Sequence, residues 1–230
     1  MVLRLLLLLA AMATATASAQ TLETRAALEQ IQAHRRVASA YLQTGNADLA
    51  LVEIDRLRGA LSRGAAASTP TDAALSAAIE AARVRADESL RAAETGDLDR
   101  ARSLLLSGGA GLDEWRRQAG IVLFSDCIAQ VSAAYEALDV HRTTPSGLSD
   151  RGVRDGVARA ASATAEALAT CAARAPDDIR GNPEFARLID GFLASLRLVP
   201  DALAKQDRDY LHRLLIEQRS FERLLSFRFG

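Results

Sequence analysis

Aromatic residues are scarce in this chain, 4% of 230, although 49% of it is apolar. The hydrophobic mass is therefore mostly Ala and Leu. Glycine and proline are few, 14 and 5, which excludes a collagen-like or low-complexity chain. The apolar half excludes an intrinsically disordered one, which lacks the side chains that offset the entropy of ordering. No sign of charge dominates: 28 basic residues face 29 acidic ones, without the basic excess of a nucleic-acid binder. Lys205 is the only lysine, Met1 and Met12 the only methionines, and Cys127 and Cys171 the only cysteines.

What is present begins with a leader. Met1 to Arg4 carry one positive charge, Leu5 to Leu9 are unbroken, and Ala17-Ser18-Ala19 offers a small-x-small site. This pattern predicts a secretory signal peptide over residues 1–19, cleaved before Gln20. The apolar run from Leu5 to Ala13 is about nine residues long, well short of the roughly 20 needed to span a bilayer. No cysteine follows it, which argues against a lipid anchor, and no later segment reaches spanning length without charges. The expected destination is the periplasm or the exterior, with no stable membrane insertion.

Apolar residues recur at helical spacing along the rest of the chain, and no run alternates as a strand would. The first stripe is Ala27, Leu28, Ile31, His34, Ala38, Tyr41 and Leu42, stopped by Gly45, with Asn46 placed to cap the next helix. That helix is expected to end near Gly64, before a loop closed by Pro70 and a Thr71 cap. A third helix stops at Gly96. Asp97 caps a short one through Leu106, which Gly108, Gly109 and Gly111 should break. The second half steps by three and four from Ile121 to Leu138, and Asp126 falls inside that helix. A loop through Pro145 and Gly147 leads to a small-residue helix that Pro176 ends. Asn182 and Pro183 start another, which Pro200 should kink or split. The whole predicts an all-α protein, an antiparallel bundle of seven to eight helices. The regions are the leader, an N-terminal helical region over 20–111 and a C-terminal bundle over 112–230, packed as one globular unit.

Two corners are alike, Thr44-Gly45-Asn46-Ala47 and Thr95-Gly96-Asp97-Leu98. In the first, Tyr41, Gly45, Ala50 and Ile54 occupy the Tyr, Gly, Ala and large apolar positions of a tetratricopeptide corner, which residues 34–57 resemble. The resemblance implies an antiparallel helix pair. His34 stands where that family has Trp, and the family's 34-residue period is missing. The bundle as a whole is also loosely similar to the periplasmic four-helix cytochromes, in its Ala-rich helix, Gly-Asp corner and closing helix rich in Arg and aromatics. Their haem attachment does not carry over, because neither Cys127 nor Cys171 belongs to a Cys-x-x-Cys-His motif. No cofactor is expected.

Cys127 and Cys171 lie on successive helices of an expected exported chain, so they are a disulfide candidate. A bond between them would close a loop of 45 residues, for which chain entropy suggests about 4 kcal/mol. In a straight hairpin the two are level only if the second helix starts near Ala158, and two buried thiols are the alternative. His34, His141 and His212 show no i, i+4 pairing and no Glu-x-x-His motif, so no metal site is expected. Ser107 to Gly111 lacks the Lys and Ser/Thr of a phosphate loop and reads as a linker. Asp126, if buried, needs a partner such as Arg. Phe227 and Phe229 end a helix that could dock on a partner or on its own bundle.

No nucleophile–base pair is visible, so the chain is not expected to be an enzyme. The expected role is an interaction or scaffold module for a periplasmic protein or peptide, with His34, Tyr41, Asp126, Phe227 and Phe229 as candidate groove residues. The alternative is a small apolar ligand or cofactor held in the core near Phe124, Asp126, Ile128, Phe192 and His34.

Overall fold

Backbone is described for residues 2–67, 72–143 and 147–230 in the computed structural model, and side chains for 23–66, 72–142 and 147–230. Pro70, Thr71, Pro145 and the side chains of the expected leader lie outside these residues. The described chain is helical with no strand: α1 (Val2–Gln43), α2 (Ala47–Ala67), α3 (Ala73–Glu94), α4 (Leu98–Gln118), α5 (Phe124–Thr143), α6 (Arg151–Arg174), α7 (Asp177–Arg180), α8 (Pro183–Leu196), α9 (Val199–Ala204) and α10 (Arg208–Phe229). Two of these, α7 and α9, have only 4 and 6 residues. The eight others agree with the all-α expectation.

The corners form for local reasons. Gly45, Gly96 and Gly120 sit at φ +76, +83 and +68, where a side chain is penalised and glycine is not. At the first, the Gly45 and Asn46 amides donate to the Leu42 and Tyr41 carbonyls, and the Gly96 and Asp97 amides repeat this onto Ala93 and Ala92. This is the paired bonding of a Schellman stop. Asn46 and Asp97 then accept from the Leu49 and Arg100 amides and start the next helices. Asp72, one residue past the expected Thr71, caps α3 by accepting from the Leu75 amide at 2.9 Å. A fourth stop, between α9 and α10, places Gln206 at φ 53, with its amide and that of Asp207 bonded to Leu203 and Ala202.

The chain divides into two compact units, Met1–Leu123 and Phe124–Gly230. In the first, α1 packs on α2, α2 on α3, α3 on α4 and α4 back on α1. The result is a closed four-helix ring around Leu28, Ile31, Ile54, Leu61, Ile79 and Leu105. Closure of α4 onto α1 distinguishes it from an open stack of tetratricopeptide hairpins. In the second unit α5, α6, α8 and α10 close in the same way, around Ile128, Val131, Leu168, Leu188, Phe192 and Leu215.

Four expectations change. The glycines of 108–111 do not break the chain, and α4 runs through them. A Cβ on Gly108 would stand 2.6 Å from the Cβ of Arg85, so glycine here lets α3 and α4 approach. Gly64 does not end α2 either, because it lies inside the helix with Ile31 Cδ1 3.2 Å from where its Cβ would be. Ile121-Val122-Leu123 is not the start of a helix: α5 begins at Phe124, Val122 is 58% exposed and Leu123 is buried in the first unit. Continuous α4 moves the boundary expected at 111/112 to 123/124. Pro200 falls at the start of α9, so the predicted break becomes the split between α8 and α9.

These contacts predict opposite effects at two positions, both measurable by urea unfolding. Gly108→Ala forces α3 and α4 apart and should cost about 1–3 kcal/mol. Gln206→Gly relieves a left-handed side chain and should gain up to about 1 kcal/mol.

Candidate functional site

The expected groove residues are divided between the two units. His34 and Tyr41 belong to the first unit, and Asp126, Phe227 and Phe229 to the second. His34 Nδ1 lies 2.9 Å from Glu53 Oε2, a carboxylate that also accepts from Arg56 Nη1 at 2.6 Å. Tyr41 packs against the core of its unit. Asp126 is half-buried in the first turn of α5 rather than within the helix, because the helix starts three residues later than expected. Its charge there meets the positive end of the helix dipole. Phe229 packs edge-on to Phe185 at 5.1 Å, and Phe185 in turn to Phe124 at 5.8 Å. The aromatic end of α10 is thus docked on its own bundle through Phe229, and Phe227 is half-buried.

The first unit holds a charge at its α1–α4 seam. Arg35 donates to Asp113 Oδ2 at 2.8 Å, and Gln32 bridges both side chains. A Cβ on Gly109 would fall 1.0 Å from the guanidinium, so the glycine seats this arginine. The small voids beside it have room for about one water molecule. This is structural chemistry: a paired ion at a seam, with no space for a substrate.

A cleft in the second unit offers more. It is open to solvent, has room for one or two water molecules, and is lined by His141, Arg142, Leu148, Val153, Val157, Arg208, Leu211 and His212. Here α5 ends while α6 and α10 begin. The four polar residues of its wall are all basic types, and its floor is aliphatic. His212 Nδ1 lies 3.2 Å from the Arg142 carbonyl; donation to that acceptor leaves Nε2 for a ligand. Two nearby carboxylates cap helices, and a third pairs with an arginine of the wall itself. Asp150 accepts from the Gly152 and Val153 amides, and Asp207 from the Tyr210 amide. Asp139 pairs with Arg142 at 2.8 Å and with Arg219 at 3.7 Å.

One buried ladder holds this wall. The Tyr135 hydroxyl donates to the Leu215 carbonyl at 2.6 Å and contacts Asp139 Oδ1 at 3.1 Å, while its ring stands edge-on to Phe192 at 5.7 Å. Burial, then the Asp139 charge and hydrogen bond, push the Tyr135 phenol far above its ordinary range. Burial also raises the Asp139 carboxyl, but hydrogen bonds from Arg142 and Tyr135 and the charges of Arg142 and Arg219 outweigh it and leave it low. The ladder therefore runs from neutral phenol to carboxylate to Arg142, whose carbonyl orients His212.

His141 and His212 lie 71 positions apart, so no local spacing could pair them. Their separate places, one at a helix end and one in the second turn of α10, were legible. Only the antiparallel packing of α5 and α10 brings them to one rim. Among the described residues no group of three or more His, Cys, Asp or Glu could hold a metal ion, and no helix is long and apolar enough to cross a membrane. No family model, curated protein or solved structure matches the chain.

The raised Tyr135 phenol has a defined pH consequence. Its contribution to stability is complete below the unfolded phenol pKa of about 10 and is lost as pH rises beyond it toward the folded value. Tyr135→Phe should therefore cost about 1 kcal/mol at neutral pH. It should also flatten the fall in stability above about pH 10, followed by circular dichroism during urea unfolding.

Proposed function

We propose that this chain is an exported, non-enzymatic interaction module, and that the basic cleft of its second unit receives an acidic, apolar-flanked segment of a partner protein. The observation that carries this reading is the cleft's composition. His141, Arg142, Arg208 and His212 stand over Leu148, Val153, Val157 and Leu211. Carboxylate is the ligand chemistry such a wall favours, because the Arg208 guanidinium donates charge-assisted hydrogen bonds to it and imidazole N–H groups donate as well. The aliphatic floor adds apolar contact for a neighbouring side chain of the same segment. Exposed aliphatic side chains on the second unit, Val140 on α5 and Ile216 on α10, provide further contact area for a protein rather than a lone ion.

The alternative of an apolar ligand in the core fits less well. A small-molecule site typically needs about 300 Å³ or more of enclosed space. In the second unit Phe192, Ile128, Leu168, Leu188 and Leu215 are essentially solvent-free and fill the interior themselves.

The test is an NMR titration of the protein labelled at histidine, using a short amidated peptide of alternating Leu and Glu as the probe. The imidazole resonances of His141 and His212 should move while those of His34 stay fixed. Arg208→Glu, at an exposed position, should weaken the apparent affinity by about tenfold, or ~1.4 kcal/mol. Equal shifts with inorganic phosphate alone would replace the peptide reading with a simple anion site. Motionless resonances of His141 and His212 would refute the cleft altogether. A mass spectrum of the mature protein beginning at Gln20 would support export.

A further inference from the structure

Cys127 lies in the first turn of α5 and Cys171 in the last turn of α6. Both are free thiols and buried, Cys171 completely, in one core cluster with Phe124, Leu168 and Phe185. The two helices pack directly on each other, and the two thiols are neighbours in that packing. Measured from their shared loop, the residues are unequally far along their helices. Leu148, buried before α6 begins, belongs to a loop long enough to take up part of the offset. We propose that Cys127 and Cys171 form an intramolecular disulfide that ties α5 to α6 at the end of the unit away from the basic cleft.

The oxidant this requires is an external disulfide, either oxidised glutathione or a disulfide-bearing oxidoreductase. One cysteine thiolate attacks a sulfur of that disulfide, forming a mixed disulfide and expelling the other external sulfur as a thiol. The second cysteine, its proton passed to solvent, then attacks the protein sulfur of the mixed disulfide and expels the remaining external thiol. Two protein thiols and one external disulfide become one protein disulfide and two external thiols, so two electrons pass to the oxidant. Thiolate is the attacking species. In the closed bundle burial, and then the neighbouring Cys127 thiol, push the Cys171 thiol far above its ordinary range. The exchange therefore belongs to folding, before α5 and α6 close. Once made, the bond is shielded from small reductants by the same packing, which assigns it a structural rather than a redox-cycling role.

The experiment refolds the full chain with and without oxidised glutathione and counts thiols by maleimide tagging in denaturant. Oxidatively refolded protein should take no tag before reduction and two after it. Its tryptic digest should contain one linked pair carrying Cys127 and Cys171. Thermal unfolding should move down by several degrees on reduction in denaturant followed by refolding, and Cys127→Ala with Cys171→Ala should match the reduced form. If that double variant does not fold, the reduced wild-type chain supplies the same comparison. Two taggable thiols after oxidative refolding, a glutathione adduct on either cysteine, or a bond between two chains would each overturn the proposal. This outcome is independent of the peptide titration at the cleft, so either proposal can fail alone.

Discussion

Close approach of helices is the constraint on which the rest of this protein depends. A chain whose apolar mass is mainly Ala and Leu buries less area per residue than an aromatic-rich one. It recovers contact by letting backbones come near each other. Along α3 and α4 this is visible in Ala82, Ala86, Ala93 and Ala101, all buried, in the Ser89 hydroxyl donating to the Ala101 carbonyl at 2.8 Å, and in Gly108 against Arg85. In the second unit Gly191 plays the corresponding part: a Cβ there would stand 2.6 Å from the Phe221 ring, which stacks on Phe192 at 6.2 Å. Interiors packed this way behave like close-packed solids, in which the loss of a single gap or the gain of a single methyl is felt.

That packing also decides where chemistry can sit. A four-helix ring whose described core is filled by its own side chains leaves functional groups to collect at seams and ends. At the α1–α4 seam of the first unit the outcome is a structural ion pair. At the end of the second unit, where α5 stops and α6 and α10 start, it is a basic rim over aliphatic side chains. The carboxylates near that rim cap helices or pair with arginines. With Arg142 paired to Asp139, the charge of the rim rests on Arg208, in a chain whose overall charge is close to balanced.

Much of the fold was legible because its signals are local. Gly45 and Gly96 stop helices by adopting a conformation other residues avoid, and Asn46, Asp97 and Asn182 start them by accepting amide hydrogen bonds within three residues. Those interactions depend on neighbours in sequence alone. The misplacements share the opposite origin. Gly108, Gly109 and Gly111 look like a breaker in sequence, yet glycine in a helix costs only about 1 kcal/mol relative to alanine, less than the contacts with α3 and Arg35 return. Ile121 to Leu123 continues the apolar stripe of α5 in sequence. Leu123 leaves it because a buried position in the first unit is available to it.

The residue pattern by itself determined that this chain is helical, where most of its corners fall and which residues cap them, since backbone conformation and capping are settled within a few positions. Tertiary structure alone decided that the helices close into two four-helix rings, that glycines at 64, 108 and 109 are seats rather than breaks, and that His141 and His212 share a rim. The physical reason is the same for each: these are contacts between helices. Their energies depend on distances between residues far apart in the chain, and no local propensity encodes such distances.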